Sequence, residues 1–328
     1  MTSSSKKLAM ILDPVEHIDA RKDTGFALAL AAQARGWQVY CTEIDRLCWQ
    51  QGDVRAALQQ VQLNDPLSVK TPDHAHPSFV LEEQRWMSLD EFDAVLMRKD
   101  PPVDSRFLYA THLLAAVRQA KVINNPTALQ TCNEKLSLFL FEDWAPPTLV
   151  SNRYDSIRNF VDDIGRCVVK PLDRMGGQNI FVLDADDPNC NVIIETMINQ
   201  SHHQNDFVMV QKFLPAIAEQ GDARIMLVAG EVVPFAIVRH SPDGDHRANM
   251  VFGGQVDIRP LTKNEIKRNQ IIAKRLYEQG CWFVGVDWIG DHLTEINITA
   301  PTDNRYLKQQ VDTDPAEQLI IAIEQHLS

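Results

Sequence analysis

The 328-residue chain is 45% hydrophobic and 23% charged, ordinary globular composition with room for two or three domains. Its net charge of −12 and the lack of any basic tract argue against nucleic-acid binding, and no apolar run approaches the roughly 18–20 residues of a membrane span. The opening MTSSSKKLAMILDP breaks at Asp13, short of the roughly 7–15 apolar residues of a signal peptide, and is expected to be a first strand.

Helix and strand patterns alternate along the chain, which predicts an α/β (α+β) protein. Residues 7–12 read as a strand. Asp23 or Thr24 caps a helix that Gly36 stops, and Trp37–Ile44 returns as a strand. This βαβ opening implies a parallel sheet with right-handed crossovers. Strands follow at 92–98 and 121–124, around a helix at 106–120, and Pro126 is a candidate domain boundary. The Pro-rich stretch 64–78 is expected to be a surface loop.

Beyond residue 128 the pattern changes. A helix carrying NEKL (133–136) precedes a helix at 154–164, a strand RCVVKPL (166–172), a glycine loop and a strand NIFVLD (179–184). A helix near 191–200 leads to the strand FVMVQKFL (207–214). Residues 224–239 read as a hairpin turning at Ala229–Gly230–Glu231. The stretch 240–258 is too long for an ordinary connection and is expected to be a functional lid or disordered. Thr262 and Glu265 form a capping box for a helix through about Gln279. A hairpin at 282–298 and a helix at 314–327 close the chain.

Three clusters carry chemistry. In WFVGVDWIGDHLTEIN (282–297), Glu295 and Asn297 share one strand face, and a three-residue loop Gly290–His292 would set Asp287 opposite Glu295. Three hard oxygen ligands suit Mg²⁺, which completes its shell with water and phosphate. In VVKPLDRMGGQNIF (168–181), Lys170 ends an apolar strand, and Gly176 and Gly177 let backbone N–H groups approach a phosphate. Lys135 lies one strand-helix unit earlier. In VQKFLPA (210–216) a strand opens into a loop whose backbone could meet an adenine edge. Arg224 on the next strand could stabilise charge on a transferring phosphoryl group. The cationic trio Lys135, Lys170 and Arg224 supplies the local positive charge that an acidic protein needs to hold ATP. The six cysteines lack zinc-site spacing and read as reduced thiols of a cytoplasmic protein. His74, His76, His202 and His203 read as solvated surface. A Gly-x-Gly-x-x-Gly fingerprint is missing, which argues against a dinucleotide-dependent oxidoreductase.

Seven segments in order resemble the bacterial glutathione synthetases: LDPVEHIDARKDTGFA (12–27), LMRKDPP (96–102), NEKL (133–136), VKPLDRMGG (169–177), QKFLPA (211–216), GDARIML (221–227) and VGVDWIGDHLTEINITAPT (284–302). The resemblance implies an ATP-grasp fold with an N-terminal Rossmann-like domain (1–128), a central lid subdomain (129–208) and a C-terminal domain (209–328) with a mobile loop at 240–258. It implies ATP-dependent ligation of γ-glutamylcysteine and glycine through an acyl phosphate, in a cytoplasmic homotetramer. Lys135 and Lys170 would hold the phosphates, Gly176 and Gly177 would cover them, and Gln211, Lys212, Phe213 and Leu214 would form the adenine hinge. Lys170 and Arg224 would be catalytic. Asp287, Glu295 and Asn297 would bind two Mg²⁺ ions, with Mn²⁺ as a substitute. Arg98, Asp100, Arg239, Arg247, Asn297 and Thr299 would contact the acyl substrate. Three positions depart from the family pattern: Arg174 for a glycine, Gln255 for an arginine, and Asp303–Asn304 for an uncharged pair. They keep open a ligase for another peptide or amino acid, or a catalytically weak nucleotide-binding homologue.

Overall fold

The structure is a computed structural model that describes residues 5–67, 78–174, 178–199, 206–240 and 255–328. Three sheets organise it. The first contains β1 (Lys7–Ile11), β2 (Gln38–Thr42), β3 (Leu47–Gln50), β4 (Asp53–Leu63), β5 (Phe79–Leu81), β6 (Arg85–Ser88), β7 (Ala94–Met97) and β8 (Lys121–Ile123), in the order β3-β4-β2-β1-β7-β8. β1, β2, β7 and β8 pair in parallel, as the βαβ opening requires. Their side chains are buried on both faces, which explains the near-continuous apolar runs LAMI and AVLM. Helix α1 (Thr24–Ala34) starts where Asp23 accepts the Phe26 N–H, and α2 (Ser105–Leu114) where Asp104 accepts the Phe107 N–H.

The second sheet holds β9 (Thr148–Ser151), β10 (Arg166–Pro171), β11 (Phe181–Asp184) and β12 (Val208–Lys212), all antiparallel, in the order β11-β10-β12-β9. Helices α4 (Tyr154–Ile164) and α5 (Cys190–Ile198) cover it, following α3 (Pro126–Thr131). They close a small core around Ile157, Val161, Cys167, Val169 and Ile194. The third sheet runs β15-β14-β13-β16-β17. Its strands are β13 (Asp222–Val228), β14 (Glu231–His240), β15 (Gln255–Pro260), β16 (Phe283–Ile289) and β17 (His292–Asn297). The short α6 (Ile217–Gln220) precedes it. Helix α7 (Lys263–Glu278) begins on the Thr262–Glu265 capping box, and α8 (Asn304–Val311) and α9 (Pro315–Leu327) end the chain. Among the described residues no helix is long and apolar enough to cross a membrane.

Several expected elements are revised. NEKL is not helical: Asn133 Oδ1 accepts the N–H groups of Lys135 (2.9 Å) and Leu136 (3.1 Å), and a 3₁₀ helix starts only at Leu136. An Asn side chain competing for backbone donors is the usual cause. The hairpin β3–β4 and helix α8 were not anticipated. Residues 255–258, expected in a lid, belong to β15, which pairs Gln255 with His240; residues 241–254 lie outside the described residues.

The hairpin β16–β17 has a different turn from the one expected. The loop is two residues, with Ile289 opposite His292, and a β-bulge at Thr294 then shifts the register so that Asp287 faces Glu295. The bulge lets Leu293 pack into the core beside Trp288 while Glu295, two residues on, turns to the cleft.

Candidate active site

A cleft of about 540 Å³ separates the second and third sheets. Lys170, Arg174, Gln211, Lys212, Phe213 and Leu214 line it on one side, and Lys135, Arg224, Arg239, Asp287, Glu295 and Asn297 on the other. Asp100 reaches it from the first sheet. Residues far apart in sequence therefore converge on one nucleotide-sized space.

The floor is a buried charge network. Asp287 stands on the central strand β16, where Arg224 of β13 is its cross-strand neighbour. Arg224 grips it with Nε (2.8 Å) and Nη2 (2.7 Å), the paired geometry that suits a guanidinium to a carboxylate. Arg239 Nη2 lies 3.0 Å from Asp287 Oδ2 and also bonds Asp222. Asn297 Nδ2 donates to the same Asp287 oxygen at 3.1 Å, which turns its own carbonyl oxygen elsewhere. Burial would raise the Asp287 pKa, but Arg224 and Arg239 overrule it and hold the carboxyl far below the usual range. Asp222 goes the other way: burial and Asp287 push it up to about 6 against the pull of Arg239.

Two lysines face this floor. Lys135 Nζ reaches Glu295 at 3.1 Å and the Arg174 carbonyl at 2.6 Å. Lys170 Nζ donates to the Thr294 carbonyl, the bulge residue, at 3.3 Å. Burial drags the Lys170 pKa down to about 8, with Glu295 opposing. Glu295 itself is held low: burial opposes ionisation, and Lys135 and Lys170 prevail. Buried charges cost several kcal/mol each in lost hydration, so this concentration of them marks a functional site more than a stabilising one.

Not every candidate lies open to the cleft. Arg98 is buried and donates to the carbonyls of Thr299 (3.2 Å) and Pro301 (3.0 Å), bracing the wall from behind. The Thr299 hydroxyl is committed to Glu134 at 2.6 Å. Asp100 does line the cleft, and burial pushes its pKa up to about 6. In the hinge segment the Gln211 amide bonds Thr148 Oγ1, and the N–H groups of Lys212 and Phe213 bond Pro147 and Arg166. These two N–H groups are thus occupied inside the sheet and are not the ones to meet an adenine. Gly176, Gly177 and Arg247 lie outside the described residues.

The sequence reading missed Glu134, whose Oε1 accepts the N–H groups of Ile298 and Thr299, both at 3.1 Å, as well as the Thr299 hydroxyl. Its position inside the NEKL segment was the available signal. It also missed Asp222, which pairs with Arg239 across the β13–β14 ladder.

Asp287 and Glu295, cross-strand neighbours, are hard oxygen donors of the kind that suits Mg²⁺, while Asn297 turns its amide nitrogen, not its oxygen, to Asp287. Among the described residues there is no group of three or more His, Cys, Asp or Glu that could hold a metal ion.

Two lysines and an arginine facing a carboxylate pair between two antiparallel sheets define an ATP-grasp ligase. Comparison with solved structures agrees on the fold: D-cycloserine synthetase DcsG matches with a TM-score of 0.66 at 15% identity, covering 98% of this chain and 100% of that one. Residues 134–312 match the prokaryotic glutathione synthetase ATP-grasp domain, and residues 7–130 match the N-terminal domain of the same family. The chain belongs to the prokaryotic glutathione synthetase family. Among curated relatives, the glutathione synthetase of Yersinia pestis is 43% identical over 298 residues, 90% of each chain. That of Pseudomonas syringae pv. tomato is 41% identical over 327 residues, 98% of each chain.

Proposed function

We propose that this chain joins γ-glutamylcysteine to glycine at the expense of ATP, giving glutathione, ADP and phosphate. The observation that carries the reading is the convergence of Lys135, Lys170 and Arg224 on the Asp287–Glu295 pair within one cleft. A carboxylate oxygen of the cysteinyl residue attacks the γ-phosphorus, and the bond to the ADP oxygen breaks. The glycine amine then attacks the acyl carbon, loses a proton, and phosphate leaves. No step needs a protein nucleophile, so the protein's work is positioning and charge stabilisation.

Lys170 of the second sheet and Lys135 of the turn joined to β17 would bind the phosphate chain. Arg224, fixed by Asp287, would present its charge to the phosphoryl group in transfer with little reorganisation. Arg239 and Asp100 would orient the acyl substrate. Asp287, Glu295 and Asn297 would hold Mg²⁺, with Mn²⁺ as a substitute, and the ion would neutralise charge on the β- and γ-phosphates. The phosphate-covering role of Gly176 and Gly177, the adenine hinge of Gln211 to Leu214 through groups other than the Lys212 and Phe213 N–H, and the role of Arg247 near the acyl substrate complete the reading.

The three sheets support the domain division at 1–128, 129–208 and 209–328. Six unbridged cysteines support a reducing, cytoplasmic setting. A homotetramer is the assembly we infer from the family resemblance, and sedimentation velocity tests it.

ADP release tests the function. It is expected to require γ-glutamylcysteine and glycine together. Lys170→Ala and Glu295→Ala should each lose at least about tenfold in kcat/KM, since charge-stabilising groups of this kind typically supply 10²–10³. Full turnover with another peptide, and none with γ-glutamylcysteine, would transfer the assignment to a different carboxylate–amine ligase.

A further inference from the structure

Arg224 spends Nε and Nη2 on Asp287, Arg239 spends Nη2 on Asp287 and Asp222, and the Nη1 of each turns toward one further carboxylate. Arg224 Nη1 lies 3.6 Å from Asp303 Oδ2, and Arg239 Nη1 lies 3.4 Å from the same oxygen. Both contacts are longer than the 2.7 and 3.0 Å that hold Asp287 to these arginines. The Asp303 side chain is 11% exposed against 4% for Asp287, so it is the less enclosed of these two carboxylates.

Its backbone explains why it is held loosely. Asp303 has a left-handed conformation, φ +76°, which a non-glycine residue adopts at a cost. It stands at the N-terminus of α8, where an Asp commonly caps the helix, yet its side chain makes no cap hydrogen bond. Among the described residues, its carboxylate has the two guanidiniums as its hydrogen-bond and ion-pair partners. The residue is therefore turned away from the task its position favours and toward a pair of cations. The neighbouring Thr302 hydroxyl completes the seat, accepting from Arg224 Nη1 at 3.1 Å.

We propose that Asp303 is an internal stand-in for the substrate carboxylate: it fills the anion seat between Arg224 and Arg239, and the acyl substrate enters by displacing it. The proposal rests on the ligase reading of the cleft. A substrate carboxylate has the same planar shape and charge as the group it replaces, and two outward guanidinium nitrogens about one oxygen are the fork that such a group needs. Asp303 then sets specificity by competition. Only an anion can displace it, so an amide or ester of the acyl substrate finds the seat taken. Empty of substrate, the outward Nη1 groups of Arg224 and Arg239 keep an anionic partner in Asp303. The opposite possibility, that Asp303 receives the ammonium of the acceptor amine, makes a different prediction.

The experiment compares the wild type with Asp303→Asn, a near-isosteric change to a residue that tolerates the left-handed conformation. Steady-state kinetics should show KM for γ-glutamylcysteine falling about threefold to tenfold, the scale of two long, partly exposed ion contacts. KM for ATP and kcat should stay within about twofold. A KM for γ-glutamylcysteine that is unchanged or raised, or a rise in KM confined to glycine, would overturn the proposal. Equilibrium dialysis against inorganic phosphate, without nucleotide, reads the seat without turnover. Tighter phosphate binding in Asp303→Asn supports the stand-in, and equal or weaker binding overturns it, whatever the enzyme's substrate proves to be. A wild type that releases no ADP with γ-glutamylcysteine and glycine counts instead against the proposed function.

Discussion

Lys170 is where burial and charge conflict most directly. Burial lowers its pKa to about 8 and Glu295 pulls the other way, so the free protein loses this positive charge just above neutrality. A bound triphosphate favours the charged lysine. Nucleotide binding above pH ~8 must therefore take up a proton, and KM for ATP should rise by up to about tenfold per pH unit, since one pKa unit corresponds to ~1.36 kcal/mol. Lys170→Arg, charged throughout, should flatten that rise. The effect on stability has the opposite sign. Between about 8 and the ordinary lysine value of 10.5 the unfolded chain binds more protons than the folded one, so this site's contribution to stability increases with pH across that window. A wild-type KM for ATP that stays level from pH 7 to about 9.5 would remove Lys170 from the nucleotide site.

At the scale of elements, the site depends on how the turn at 133–135 is sewn to the end of β17. The Glu134 carbonyl accepts the Ile296 N–H at 3.0 Å, and its side chain accepts two further N–H groups and a hydroxyl at Ile298 and Thr299. Lys135 and Glu295 meet because these two segments are locked together. Glu134→Ala would leave buried donors unpaired, at about 1–3 kcal/mol each. It should lower the unfolding free energy by about 2–5 kcal/mol in urea melts and weaken ATP binding, though Glu134 does not line the cleft. A stability within about 0.5 kcal/mol of wild type would show that the joint is dispensable. Elements like this joint mark the limit of what the sequence tells. The capping box of α7, the Asp23 cap of α1 and the parallel strands were legible because their signals are local or periodic. The pairing of Asp287 with Glu295 was legible as a demand of metal chemistry, but its cause, the bulge at Thr294, was not, since a bulge has no periodic signature. The turn at Asn133 defeated the helix pattern because one side chain captured two backbone donors. The hairpin β3–β4 carries no clean period in the sequence, because Gln59, Gln60 and Gln62 interrupt the apolar pattern of β4. Asp303 could be recognised as unusual from the sequence, yet its two arginine partners come from strands 64 and 79 residues away.

The whole molecule divides its cohesion unevenly. Two large apolar clusters run through both the first and third sheets: one joins Leu8 and Met10 to Met226 and Ile320, the other joins Ala9 and Ile11 to Ile225 and Val286. Arg98, the Thr24–Asn304 hydrogen bond and the Arg305–Asp65 pair add polar ties between the same two parts. The second sheet has a core of its own around Ile157 and Val169, with Met209 among its few residues in the shared clusters. Across the cleft, its polar links among the described residues include Lys170 to Thr294, Lys135 to Arg174, and Asn133 to the Leu172 carbonyl at 3.0 Å. Such an arrangement lets the second sheet move or unfold with little cost to the rest, and a ligand touching both sides of the cleft should couple them. Calorimetry of the free protein is expected to show a lower-temperature transition for the second sheet. A non-hydrolysable ATP analogue with Mg²⁺ at about 100 times its Kd should stabilise the structure by about 2.7 kcal/mol and draw the two transitions together. In Lys170→Ala, which removes one side of the grip, the same concentration should leave them apart. If the free protein melts in one transition whose midpoint the analogue does not move, the cleft is not the nucleotide site and the second sheet is not an independent unit.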